Sequence, residues 1–169
     1  MSRPHAQESS RAVMFDPTMP CPCGRADFQR RRMAYAGCCG RYVGHFAESP
    51  APDAENLMRS RYTAFVTASE EYLLATWHVD RRPSEFTMSQ AIKWHGLDVR
   101  SVRQATPNRA EVEFVARYSV NGRAARLQET SNFVLEGGRW YYVGGRINCA
   151  SWRRPTRSRH RPSCTTRLL

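Results

Sequence analysis

Four cysteines within nineteen residues carry the strongest chemistry in this chain: Cys21 and Cys23 in Cys21-Pro22-Cys23-Gly24, and Cys38 and Cys39 in Cys38-Cys39-Gly40. The two tight pairs face each other across a fourteen-residue arm. Thiolates offered by two short turns can close a tetrahedron around a soft dication, with Zn–S distances of about 2.3 Å. Pro22 stiffens the first pair, and Gly24 and Gly40 let the backbone turn so that its amides can point at the sulfurs. The first spacing is C-x-C and the second pair is adjacent, so the pattern of a generic zinc ribbon does not describe it. Two structural disulfides, or ordinary free thiols, are the alternatives. No secretory signal precedes the cluster, and a reducing compartment favours metal over disulfide. The expected ligands are Cys21, Cys23, Cys38 and Cys39, and the expected cofactor is zinc.

The arm itself carries Arg30-Arg31-Arg32, with Phe28 and Tyr35 nearby. Guanidinium groups grip phosphates and aromatic rings stack on bases, so this basic knuckle could bind nucleic acid. Phe28, Met33 and Tyr35 are expected to form the small apolar cap of a segment in which metal replaces most of a core.

The remaining elements follow from pattern. Residues 1–18 are polar, without periodicity, and read as a disordered extension; the knuckle spans 19–48. Ser49-Pro50-Ala51-Pro52 is a stiff connector. Asp53 reads as an N-cap with Glu55 in the first turn, and Leu57, Met58, Tyr62, Phe65 and Val66 form one helical stripe. Ser69, Glu70 and Glu71 start a second helix, with Tyr72, Leu73 and Trp77 as its buried face. Beyond Pro83 the period changes. From about Leu97 the chain reads as strands, with Asn121-Gly122 and Gly137-Gly138 as turns and Arg139–Val143 as the last strand. Helices followed by an antiparallel meander predict an α+β fold over 49–145. Residues 146–169, rich in Arg, Ser, Thr and Pro, read as an unfolded tail.

Composition bounds the partners. The chain is 41% hydrophobic and 11% aromatic over 169 residues, enough for one compact core. No apolar run reaches the roughly 18 residues of a membrane span, and the expected location is the cytoplasm. Net charge is +11, but residues 145–169 hold seven arginines and no acid, which leaves 19 basic against 15 acidic groups in the rest. The excess thus belongs mostly to the tail, and it argues less for nucleic acid than the total suggests.

The C-P-C-G and C-C-G turns resemble the SEC-C motif, the zinc knuckle at the tail of the preprotein-translocase ATPase. Leu57-Met58-Arg59-Ser60-Arg61-Tyr62, Ala64-Phe65, Tyr72-Leu73-Leu74, Thr76-Trp77-His78 and Trp140-Tyr141-Tyr142-Val143 follow in order. That series resembles the YchJ family of small bacterial proteins over roughly residues 19–144. The resemblance implies a cone like that of nuclear transport factor 2, a bent sheet closed by N-terminal helices, and it implies docking of a protein partner through the knuckle. It carries no established activity. Two departures stand out: an arm longer around Asp27–Ala34, and Val143-Gly144-Gly145 where the family has an Asp before the glycine. Some members carry a second knuckle; Cys149 and Cys164 lack the partners for one.

A cone implies a pocket as the alternative site, for a small ligand or an enzyme's substrate. Tyr62, His78, Glu113, Arg117 and Glu129 are the polar residues that could enter it. Glu129 shares strand parity with Leu127, Phe133 and Leu135, so its carboxylate is expected on the inner face, where burial raises a pKa. The structural alternative is an ion pair with Arg59 or Arg61. His78 is expected to cap a helix C-terminus. The connector at Ser49–Pro52 predicts a knuckle that unfolds without its metal while the cone stays folded.

Overall fold

The computed structural model describes residues 15–148, in chain order a cysteine-rich knuckle, two helices and a four-stranded antiparallel meander. Helix α1 (Ala54–Val66) begins where the sequence places it. Asp53 is extended and its carboxylate accepts the Asn56 amide, which satisfies one orphan donor of the first turn. Its stripe of Leu57, Met58, Tyr62 and Phe65 is buried. Helix α2 (Glu70–Ala75) follows Ser69, whose hydroxyl meets Thr67 rather than capping the helix. The chain then runs as an extended segment beside the last strand: the Tyr142 amide donates to the Thr76 carbonyl, and the His78 amide donates to the Tyr142 carbonyl, both at 2.9 Å. A single 3-10 turn, Val79–Arg81, comes next.

Strands β1 (Ile92–Thr106), β2 (Arg109–Val120), β3 (Arg123–Glu136) and β4 (Arg139–Ile147) pair as consecutive neighbours. Asn121 and Gly122, both at positive φ, form the two-residue turn between β2 and β3. Val112, Phe114 and Ala116 lie opposite Ser131, Glu129 and Leu127 on the face that meets the helices. β1 starts five residues before the expected Leu97. Register shifts between Trp94 and Gly96, and again between Val99 and Ser101, break its alternation and hide the strand from a period-two reading. β4 reaches Ile147, so Arg146 and Ile147 are strand rather than tail. Residues 1–14 and 149–169 lie outside the described residues. Phe15 packs edge-on to Tyr35 with ring centroids 5.0 Å apart, and the Ala36 amide donates to the Pro17 carbonyl, so residues 15–18 belong to the packing of the knuckle.

The concave face of the sheet is filled. Leu57, Met58, Arg61, Tyr62, Phe114 and Phe133 are buried against one another and their neighbours. The four cysteines, Tyr42 and Val43 belong to that same continuous core, so the knuckle packs against the cone rather than standing apart from it. Among the described residues no helix is long and apolar enough to cross a membrane.

Candidate metal centre

The two cysteine pairs are brought together by a ladder of backbone hydrogen bonds across the arm. The Cys21 amide donates to Met33 (2.8 Å), the Met33 amide to Arg25 (3.0 Å) and the Tyr35 amide to Met19 (2.8 Å). Gly24 turns the first pair at φ +73°. On the other side the Cys38 and Gly40 amides both donate to the Tyr35 carbonyl. A Cβ at Gly40 would lie 2.8 Å from that carbonyl oxygen, so only glycine fits this close approach. Phe28 takes no part in the apolar cap: it stands 91% exposed near the tip of the arm, whereas Met33 and Tyr35 pack on the core.

All four cysteines are buried and free of disulfides, with every sulfur within 4.8 Å of the others. Cys23 and Cys38 Sγ are 3.5 Å apart and Cys38 and Cys39 Sγ 4.0 Å. A tetrahedron with ligand bonds of about 2.3 Å has edges of about 3.8 Å, and these separations match it. They are far too long for a disulfide bond, which is about 2.05 Å. The electrostatics point the same way. Hydrogen bonds from its neighbours pull the Cys21 thiol far below its ordinary value, while Cys21 and Cys23 push Cys38 and Cys39 far above theirs. Thiolate is favoured on Cys21 and Cys23 and resisted on Cys38 and Cys39, and a dication among them removes the conflict. The donor set therefore fits a soft metal ion.

Residues beyond the thiols hold this site against α1. The Cys21 sulfur lies 3.8 Å from the Thr63 hydroxyl. Arg59 donates to the Cys23 carbonyl and pairs with Glu55, and Arg25 reaches Glu55 and Asn56. From the far end of the chain, Arg139 donates to the carbonyls of Phe46 and Ala47. Sequence reasoning missed Arg25, Thr63 and Arg139. Only Arg25, next to the first cysteine turn, offered a signal.

The pocket candidates do not converge. Tyr62 is buried beneath Trp94 at a ring distance of 5.7 Å, and burial pushes its hydroxyl up to about 12. Glu129 lies on the inner face, 2% exposed, accepting from Ser131 (2.7 Å) and Tyr142 (3.3 Å). Neither arginine of the expected ion pair reaches it. Arg59 is taken by Glu55. Arg61 donates to the Leu73 carbonyl and the Thr76 hydroxyl and stacks over Tyr142 at 4.5 Å, so it acts on Glu129 only through its field. His78 caps no α-helix, since α2 ends at Ala75. Its Nδ1 accepts the Asp80 amide and its Nε2 meets Glu136 at 2.8 Å. His78 borders a cleft of about 390 Å³ between the Val79–Arg81 turn and the outer sheet face, with Arg109, Glu111 and Asn132 on other sides. Glu113 and Arg117 lie on the outer face, away from the filled interior.

Residues 53–145 match the family model described as YchJ, middle NTF2-like domain. The chain belongs to the YchJ family. Among its YchJ relatives, a UPF0225 protein of Polaromonas sp. (strain JS666) is 55% identical over 130 residues, covering 76% of this chain and 94% of that protein. One from Methylibium petroleiphilum is 52% identical over 131 residues, covering 77% and 90%. The solution structure of RPA3114, a SEC-C motif containing protein from Rhodopseudomonas palustris, superposes with a TM-score of 0.64 at 29% identity, over 75% of this chain and 97% of that one. The crystal structure of a SEC-C motif containing protein from Psychrobacter arcticus gives 0.65 at 24% identity, covering 76% and 82%, a likeness of fold. The α+β cone of the YchJ domain and the SEC-C arrangement of its cysteines agree with the resemblance read from sequence.

Proposed function

We propose that this chain binds one zinc ion through Cys21, Cys23, Cys38 and Cys39 and acts by binding, presenting the surface that the ion organises to a protein partner in the cytoplasm. The observation that carries this reading is the closed set of four buried free thiols within 4.8 Å of one another. Four protein ligands leave no coordination position for water or substrate, so a site of this kind shapes a surface rather than activating a nucleophile. The filled cone supports the same reading, because the interior in which a ligand would sit is occupied by Arg61, Tyr62, Phe114 and Phe133. Metal analysis of the purified chain is expected to give about one zinc per chain, and Cys38→Ser to lose most of it. Cobalt loading should show the charge-transfer absorption of thiolate ligation. A metal-free native protein with cysteines 21, 23, 38 and 39 oxidised in pairs would sink the proposal. For the docking half, affinity capture that is unchanged by loss of the metal would do the same.

A further inference from the structure

Charges scattered along the sequence gather on one face of the sheet. Arg117 of β2 and Arg126 of β3 are direct cross-strand partners on the outer face, both exposed, and Lys93 of β1 lies diagonally next to Arg117, opposite Ser119. Like charges placed opposite each other across a ladder repel. Nearby carboxylates do not answer them: Asp98 is paired with Arg100 at 3.0 Å, and Glu113 is held by Gln128 at 2.8 Å. Among the described residues neither Arg117 nor Arg126 has an ion-pair partner.

This basic pair adjoins the metal centre. The Arg117 guanidinium folds over Gly96, within 3.1 Å of where a side chain there would begin, and the carbonyl oxygen of the next residue of β1, Leu97, lies in van der Waals range of the knuckle, 3.8 Å from where a Cβ at Gly24 would stand. From Gly24 the chain enters the arm. Its turn is fixed by Asp27, whose carboxylate accepts the Gln29 and Arg31 amides and pairs with the Arg31 side chain. Among the described residues Arg30 and Arg32 are exposed and have no acidic partner, and Phe28 stands beside them with its ring in solvent. An ordered turn thus presents one exposed aromatic ring flanked by guanidinium groups.

We infer that this track, from Phe28, Arg30 and Arg32 across the β1 edge to Arg117, Arg126 and Lys93, binds single-stranded nucleic acid. The cations follow the phosphates and the Phe28 ring stacks on one base. One ring is too little apolar surface to anchor the chain in a bilayer, which generally requires two membrane signals. An exposed base, by contrast, needs one flat partner. This goes beyond the docking reading and does not depend on it, because its cations lie outside the thiol cluster.

The test uses the full chain as purified and a fluorescein-labelled oligouridine of twenty nucleotides, read by fluorescence polarisation across a salt series. Binding is expected to weaken linearly in log salt. Arg117→Gln with Arg126→Gln should weaken it by about tenfold or more and reduce the slope by about 1.4, two phosphates at 0.7 each. Phe28→Ala should weaken binding by about fivefold or more with the slope unchanged. Both are surface changes, and matching melting curves would confirm that they fold. No binding at about 50 mM salt, or variants indistinguishable from the parent, would overturn the proposal. So would phosphatidylserine vesicles that compete with or replace the RNA through the same residues.

Discussion

Glu129 sits where a carboxylate is expensive to keep charged. It faces Phe114 across the ladder and packs on the β4 backbone so closely that a Cβ at Gly145 would fall on its carboxylate. Burial raises its pKa, and the Ser131 and Tyr142 hydroxyls with the Arg61 cation offset only part of that rise. The folded state therefore prefers the protonated acid. Its contribution to stability is complete below the unfolded value of about 4.3 and is lost as pH rises through the folded value. Glu129→Gln keeps an acceptor oxygen and cannot ionise. Compared pairwise at each pH, it should match the parent in acid and become steadily more stable than it above about pH 4.3. Melting temperatures that track each other from pH 4 to 7 would show that this carboxyl has no linkage to folding. Arg61, by contrast, is pulled down only to about 10 and stays charged at neutral pH, held by carbonyl and hydroxyl acceptors between two rings.

The knuckle and α1 are packed and hydrogen-bonded to each other, a join that the sequence pattern does not display. The Pro-rich connector and the small number of apolar residues in the arm suggest independence. Part of what joins the knuckle to the rest runs from side chains to backbone carbonyls, Arg59 to Cys23 and Arg139 to Phe46, and no residue pattern announces a carbonyl acceptor. Phe46 adds ring contacts to Tyr72 and Tyr141. Removing the metal is therefore expected to destabilise α1 and its neighbours as well as the arm. Hydrogen exchange before and after chelation should show protection lost over residues 54–66 together with 20–43; loss confined to the arm would mean that the interface contributes nothing. Other elements were plain in the sequence for identifiable reasons. Asp53 is a capping residue before an apolar stripe, and Asn121-Gly122 can take the positive φ that a tight hairpin needs. The inward parity of Glu129 followed from Leu127 and Phe133, whereas β1 was obscured by its own bulges.

At the scale of the molecule, net charge along the chain is a poor guide to charge in space, since a meander sets Lys93, Arg117 and Arg126 side by side from separate strands. The same non-local economy governs closure. β4 completes the structure twice: Tyr142 pairs with Thr76 and His78, and Arg139 fastens Phe46 and Ala47, segments 64 to 93 residues earlier. Such distant pairings are slow to form and cannot start before their later partner exists. During synthesis the four thiols thus leave the ribosome long before the strand that locks their surroundings. We expect nascent chains stalled before Arg139 emerges to remain open to protease across the knuckle and helices, and chains released past Ile147 to become resistant in one step. Early resistance in the short chains would show that the N-terminal half closes alone. For a newly made chain, then, the interval between thiol and lock is a window in which the site is chemically naked, open to metal and to oxidant alike.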